Sequence, residues 1–207
     1  MENDIMCNNI DMYRRMAYMS YREYCKYTDK VNDLRNDPSS WVMGKDKERF
    51  ENALWSKQHE FAVSVVIFSA FSIEALCNDY ISRRLGFSYN DYLDKLDVKS
   101  KLLLGVKLAT GREFPKERQA YNVLHNLITV RNKIAHSKSI KINLDNIEDS
   151  FKKVSNSYQT SIDKKIVDDS IKAFDLIIME LDKLDTELYS GYKRSIEDII
   201  DFYYDNA

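Results

Sequence analysis

The feature that most constrains this chain is a run of thirteen residues, 61–73, that contains no charged side chain. Mostly apolar residues recur through and beyond it at spacings of three and four, the period of an α-helix. They are Ala62, Val65, Val66, Ser69, Ile73, Leu76 and Tyr80, with Phe61, Phe68 and Phe71 widening the stripe. A helix that is apolar over most of its circumference must be surrounded by other elements. We therefore predict a long helix over residues 45–85 at the centre of a bundle.

Residues that form turns are scarce, with five glycines and two prolines in 207 residues. Sheets need many turns, so this scarcity favours an all-α fold with long helices and short peripheral ones. Further helices are predicted over residues 8–35, 89–96, 98–109, 116–135, 144–154, 161–188 and 196–204, with Gly86 and Gly111 as helix ends and Pro115 at a helix entry. We expect one domain over residues 1–207, with a core at about 45–188 on which the N-terminal helix packs.

The cysteines and the first residues indicate the compartment. Cys7, Cys25 and Cys77 are odd in number and lack Cys-x-x-Cys spacing, so neither a disulfide framework nor a zinc site is expected. Residues 1–20 carry several charges and have no signal-peptide core. The run 61–73 is shorter than the about 20 residues of a membrane span. We expect a cytoplasmic protein with no metal, no cofactor and no membrane partner.

Positive charge is concentrated in one segment. Residues 99–141 contain ten lysines and arginines against Glu113 and Glu117, a net charge of +8, so the rest of the chain carries −10. A basic block in an acidic protein is a candidate footprint for a phosphate backbone. The alternative is a solvated helix face, which is what most charge runs are.

The basic segment contains the stretch of greatest chemical interest, at the end of the helix predicted over residues 116–135. Arg131, Asn132 and His136 lie within six residues there. RNA is cleaved without a metal when its 2′-hydroxyl attacks the adjacent phosphate. Histidine suits the proton transfers of this reaction, and arginine suits the charge on the phosphoryl oxygens. Asn132 is able to orient the histidine or to bind substrate. An RNA-cleaving site is therefore one of two interpretations of this helix end.

Helical geometry complicates this site. The apolar stripe of the same helix contains Ala120, Val123, Leu124, Leu127, Val130 and Ile134, and Arg131 falls within its arc. A second, polar stripe contains His125, Thr129, Asn132 and His136. Arg131 and His136 therefore point about 140° apart, so the site requires a distorted helix end or a second subunit. The structural alternative is a helix end whose basic residues complement the macrodipole, with Arg131 paired to a buried acid such as Glu74.

The stretch Arg131-Asn132-Lys133-Ile134-Ala135-His136 resembles the Arg-x4-His signature of the HEPN superfamily, the higher eukaryotes and prokaryotes nucleotide-binding domains. A second segment, residues 69–78, is similar to the family's long-helix segment, in which an acidic residue, here Glu74, follows an apolar run. The two segments and the spacing between them cover about residues 60–140.

The resemblance implies an all-α, metal-independent endoribonuclease that works as a toxin or in defence against phage. It implies a homodimer in which two motifs line one cleft, with Arg131 and His136 catalytic and Asn132 supporting them. Glu74, Asn78, Lys133 and Lys138 are the expected supporting or binding residues, and RNA and an antitoxin or regulatory protein are the expected partners. For Lys133 the alternative is a residue that only decorates the helix end. For His125 the alternatives are a surface residue and a member of the same groove.

The chain departs from some toxin members, which carry a tyrosine two residues after the histidine that a partner nucleotidyltransferase modifies. Here that position is Lys138, so this mode of control is not expected. Some family members have lost activity. The competing hypotheses are therefore a non-catalytic module that binds nucleotides, RNA or a protein, and a purely structural helical scaffold.

Overall fold

The structure, a computed structural model, describes residues 9–37, 44–136 and 162–204. These residues form seven α-helices and one 3-10 helix: α1 (Ile10–Asn36), α2 (Gly44–Leu85), α3 (Phe87–Leu93), α4 (Val98–Thr110), α5 (Gln119–Ala135), α6 (Lys164–Leu184), the 3-10 helix (Ser190–Lys193) and α7 (Ile196–Tyr204). The prediction of an all-α bundle is confirmed. The predicted loop at 137–143 and helix at 144–154 lie outside the described residues.

The central helix of the bundle is α2. It packs along α1 over much of its length and also contacts α3, α4, α5 and α6. Its predicted inner stripe is buried, with Val65, Val66, Ile73 and Leu76 fully shielded from solvent. By length and composition, residues Asp46–Leu85 would also be able to cross a membrane, and half of the most apolar 18-residue stretch is buried inside the structure. A core helix of a bundle meets the same criteria.

Helix ends differ from the predictions where local hydrogen bonds decide them. The helix predicted from residue 116 begins at Gln119, because the Arg118 N–H donates to the Pro115 carbonyl in a turn that precedes it. Pro115 therefore lies in this turn and not at the helix entry. The helix predicted over 161–188 spans Lys164–Leu184. It begins after Asp163, because the Asp163 carboxylate caps its first turn by accepting from the Ile166 N–H, and it ends where the Asp185 backbone becomes extended. The short helix predicted over 89–96 is shifted to Phe87–Leu93.

Two polar clusters fasten the end of α2 to the segment after α6. In the first, Asp79 accepts hydrogen bonds from Arg83 at 2.7 Å and from the Tyr192 hydroxyl at 2.6 Å. In the second, Asp185 accepts from Tyr80 at 2.8 Å and forms an ion pair with Arg84. Both carboxylates are buried. Because each carboxylate accepts hydrogen bonds from both segments, the clusters hold the chain after α6 in register with α2.

Candidate functional site

The candidate site lies at the C-terminal end of α5. Five of the six residues of the predicted apolar stripe are buried, and Ile134 packs partly buried against the core. This burial fixes the rotation of α5, so His125, Thr129, Asn132 and His136 face outward as predicted. The helix ends at His136, whose φ of −114° and ψ of 32° are not helical. Its N–H still donates to the Asn132 carbonyl at 2.9 Å, so the His136 Cα remains on the helical path.

Arg131 lies in the groove between α5 and α2. Its guanidinium Nη2 is 3.7 Å from the Glu74 carboxylate, and the two side chains are 27% and 36% exposed. Its Nη1 donates to the Asn132 side-chain oxygen at 3.0 Å. The Cζ atom lies 5.8 Å from the centre of the Phe71 ring. Three neighbours therefore position the guanidinium, while its exposure leaves it accessible to an anion.

The Arg131–Glu74 contact corresponds in part to the structural alternative drawn from the sequence. The two residues do pair, but Glu74 is partly exposed and is not a buried acid. At 3.7 Å the contact is an ion pair that is longer than a hydrogen bond. Exposed pairs of this kind contribute up to about 1 kcal/mol. Glu74 therefore orients the arginine without occupying all of its five N–H donors.

Asn132 connects the two sides of α5. Its side-chain oxygen accepts from Arg131, and its position places it on the outward stripe with His136. The two predicted catalytic residues point about 140° apart on the helix. Because the arginine side chain is long, its guanidinium reaches part of the way around the helix toward the His136 face. Between described residues, no hydrogen bond joins Arg131 to the His136 side chain. The arrangement is a polar track, Arg131–Asn132–His136, across an exposed helix end.

The structure pairs Asn78 with a lysine of α4, and no hydrogen bond joins the Asn78 side chain to the described residues of this track. Its side-chain oxygen accepts a hydrogen bond from the Lys101 ammonium at 2.9 Å, and the Lys101 side chain is 2% exposed. Asp94 lies 3.5 Å from the same ammonium. Asn78 therefore partners a buried charge of α4, a role that fits structural support. One lysine of the basic segment is accordingly unavailable to a ligand.

The remaining predicted residues divide between surface and undescribed positions. Lys133 is exposed on the last turn of α5. Lys138 lies outside the described residues. Of the other basic residues in the segment, Lys107, Arg112, Lys116 and Arg118 are exposed around the start of α5. Positive charge therefore lies at both ends of this helix.

Cys77 lies next to the buried Lys101, and its thiol is unreactive. Burial raises the pKa of its thiol to about 12, and its sulfur lies 3.9 Å from the Val98 carbonyl. In the described part of the chain, no group of three or more histidine, cysteine, aspartate or glutamate side chains is arranged to hold a metal ion. The expectation of no metal and no cofactor stays a prediction.

Sequence reasoning missed the aromatic residues beside Arg131. Phe71 packs against Tyr13 of α1, with ring centres 5.4 Å apart, and against Phe68, at 6.4 Å. The available signal was the spacing of Phe68, Phe71 and Glu74, which puts all three on one face of α2. This signal was overlooked because the phenylalanines were interpreted as core residues.

No protein-family model, no curated protein and no solved structure matches this chain.

Proposed function

We propose that this chain is a metal-independent endoribonuclease of HEPN type, acting as a toxin or as an effector of defence against phage. The observation that carries the proposal is the track at the end of α5. There an accessible, positioned arginine is linked through Asn132 to the face that presents His136. An arginine for phosphoryl oxygens and a histidine for proton transfer are the groups that this cleavage requires.

In the proposed reaction, His136 takes the proton of a ribose 2′-hydroxyl as that oxygen attacks the adjacent phosphorus. The bond between phosphorus and the 5′-oxygen breaks, and the departing oxygen takes up a proton from the protonated His136 of a second copy of the chain. Arg131 donates to the phosphoryl oxygens, whose negative charge increases in the transition state. Asn132 and Glu74 hold the arginine in position. The products are a 2′,3′-cyclic phosphate and a 5′-hydroxyl.

A homodimer is part of the proposal. Two proton transfers occur, one from the 2′-oxygen and one to the 5′-oxygen, and each chain places one histidine at this helix end. Exposed helix ends related by a twofold axis would bring two copies of His136 to one cleft. Within one chain, Arg131 and His136 point in different directions. In the dimer, the second copy would contact the RNA from the direction that the first copy does not reach.

The test is cleavage of a mixed RNA substrate in the presence of EDTA, with mapping of the ends. We expect wild type to leave 2′,3′-cyclic phosphates, and we expect His136→Ala and Arg131→Ala each to slow cleavage by about 100-fold or more. His125→Ala is the matched control, because His125 is exposed on the same stripe about 16 Å along the helix. Equal cleavage by wild type and His136→Ala would contradict the proposal.

A non-catalytic RNA-binding module is the second candidate. Arg131 already has Glu74 and Asn132 as partners, and no described hydrogen bond couples it to the His136 side chain. If this candidate is correct, the protein binds RNA without cleaving it. His136→Ala then leaves the affinity for RNA unchanged, and that affinity falls steeply as the salt concentration rises. Expression of wild type and His136→Ala in a bacterial host separates the two candidates in cells. A catalytic toxin harms the host only when His136 is present.

A further inference from the structure

Tyr13 of α1 and Phe68 and Phe71 of α2 form an aromatic patch on the surface of the bundle. The Tyr13 and Phe71 rings are tilted by 58°, and the Phe68 and Phe71 rings meet nearly edge to face at 74°. All three side chains are partly exposed. None of them belongs to either of the two hydrophobic clusters that make up the core. By contrast, Phe114 and Phe174 are buried in the main cluster at 2% and 4% exposure.

The aromatic patch adjoins the proposed phosphate ligand. The Arg131 guanidinium carbon lies 5.8 Å from the centre of the Phe71 ring, and Glu74 follows Phe71 by one turn on the same face of α2. A phosphate bound by Arg131 would therefore carry its nucleoside to within reach of the Phe71 ring. Every base has a π-face, so single-stranded nucleic acid stacks on exposed aromatic side chains whatever its sequence.

The size of the aromatic patch favours a base over a second protein chain. An aromatic side chain offers about 150–250 Å² in total, and these three are each less than half exposed. A stable protein interface needs about 800 Å² from each partner, which three such rings do not supply. One or two planar bases are matched to an area of this extent. The neighbouring cation supplies the complementary charge for the phosphate attached to such a base.

We propose that Phe71, supported by Tyr13 and Phe68, is a stacking subsite for a base of single-stranded RNA whose phosphate binds to Arg131. This inference rests on the proposed RNA-binding function and adds a base-binding element to it. The subsite accepts purines and pyrimidines alike, because stacking and not hydrogen bonding holds the base. It positions the RNA strand so that the phosphate beside the stacked base lies at the guanidinium.

The test compares the binding of two uncleavable oligonucleotides. One is a 2′-O-methyl RNA of mixed sequence, and the other has the same backbone with abasic positions at its centre. We expect wild type to bind the first about tenfold more tightly and Phe71→Leu to lose that preference, as measured by fluorescence anisotropy. Phe71→Trp retains a ring and is expected to keep the preference. Phe50→Leu is the matched control, since Phe50 is an exposed phenylalanine five turns or more away on the same helix.

The outcomes separate the subsite from the proposed function. If Phe71→Leu keeps the tenfold preference, the subsite is overturned and RNA binding stands. If wild type binds neither oligonucleotide, both proposals fail. If Phe71→Leu converts a dimer into a monomer by sedimentation and leaves the preference unchanged, the aromatic patch belongs to an interface between copies and the subsite is overturned. A preference lost in Phe71→Leu and retained in Phe71→Trp supports it.

Discussion

At the scale of single residues, the buried carboxylate of Asp185 contributes to how stability depends on pH. It accepts hydrogen bonds from Arg84, from Tyr80 and from the backbone N–H of Glu187. Burial raises the pKa of this carboxyl, but the hydrogen bonds outweigh burial, so the pKa of Asp185 lies below its ordinary value. The unfolded chain therefore takes up this proton first as the pH falls.

We expect Asp185→Asn to lower the free energy of unfolding by about 3 kcal/mol at pH 7, because it leaves Arg84 and Tyr80 without their buried anion. The difference from wild type should shrink as the pH falls below about 4, the ordinary pKa of an aspartate, where the ionised form is being lost. Urea unfolding at several pH values measures both effects. Glu187→Gln is the control, since Glu187 pairs with the same Arg84 but is 78% exposed, and it should cost about 0.5 kcal/mol or less. Equal losses in the two variants would contradict this account.

Residue-scale prediction from sequence succeeded in part for the partner of Arg131 and failed for Lys101. The helical period placed Arg131 on an inward arc, which required a partner, and Glu74 was one candidate for a buried acid. The two residues do pair, but Glu74 is partly exposed. Lys101 carries the same kind of requirement, but its partner Asn78 is 23 residues away in sequence and on another helix. The helical period of the apolar residues does not show which helices pack against each other. From the sequence, Lys101 could therefore only be assigned to the basic segment.

At the scale of elements, helix identity followed from periodicity and helix ends followed from capping. Predictions for α1, α2, α4 and α7 agree with the structure within two residues at each end. The starts of α5 and α6 differ because single hydrogen bonds, at Arg118 and at Asp163, outweigh the apolar pattern there. Such bonds depend on local backbone geometry that an apolar pattern does not contain. Gly111 is a cap that the sequence did reveal, with its φ of 73° after α4.

We expect Gly111→Ala to lower the free energy of unfolding by about 1 kcal/mol, because an L side chain is strained in the left-handed region. A Cβ at this position would meet nothing within 4 Å, so the loss measures backbone strain alone. Thermal or urea unfolding gives the value. Gly111→Asn should lose about half as much, since asparagine adopts this conformation more readily than alanine. A larger loss in the asparagine variant than in the alanine variant would show that strain is not the cause.

At the scale of the whole molecule, the packing of the bundle decides which residues of α5 reach the surface. The inner stripe of α5 packs against α2 and α6, which leaves the polar stripe and both basic ends at the surface. The fold class was predictable because one helix was too apolar to be exposed. The aromatic patch was not predictable, because Tyr13 and Phe71 lie 58 residues apart on helices whose alignment depends on the entire α1–α2 packing. Long-range alignment of this kind has no signature in a single sequence.

The two ends of α5 lead to a prediction about RNA length. Lys116 and Arg118 are exposed just before the helix, His136 lies at its end, and a 17-residue helix is about 25 Å long. At about 3.4 Å per stacked nucleotide, roughly eight nucleotides span that distance. Lys116→Glu combined with Arg118→Glu should therefore weaken binding of a 12-nucleotide RNA by about tenfold. It should leave binding of a 4-nucleotide RNA at the Arg131 end unchanged.

Salt titration of the same variants identifies the mechanism. Two lost phosphate contacts on a single strand reduce the slope of log affinity against log salt by about 1.4 for the long RNA. Lys57→Glu combined with Lys183→Glu is the control, because it removes the same charge from exposed lysines outside the basic segment. If this control weakens binding of the long RNA equally, the effect comes from the net charge of the protein and not from phosphate contacts along α5. If the charge reversals at Lys116 and Arg118 weaken binding of both RNAs equally, the RNA strand does not run between the two ends of α5.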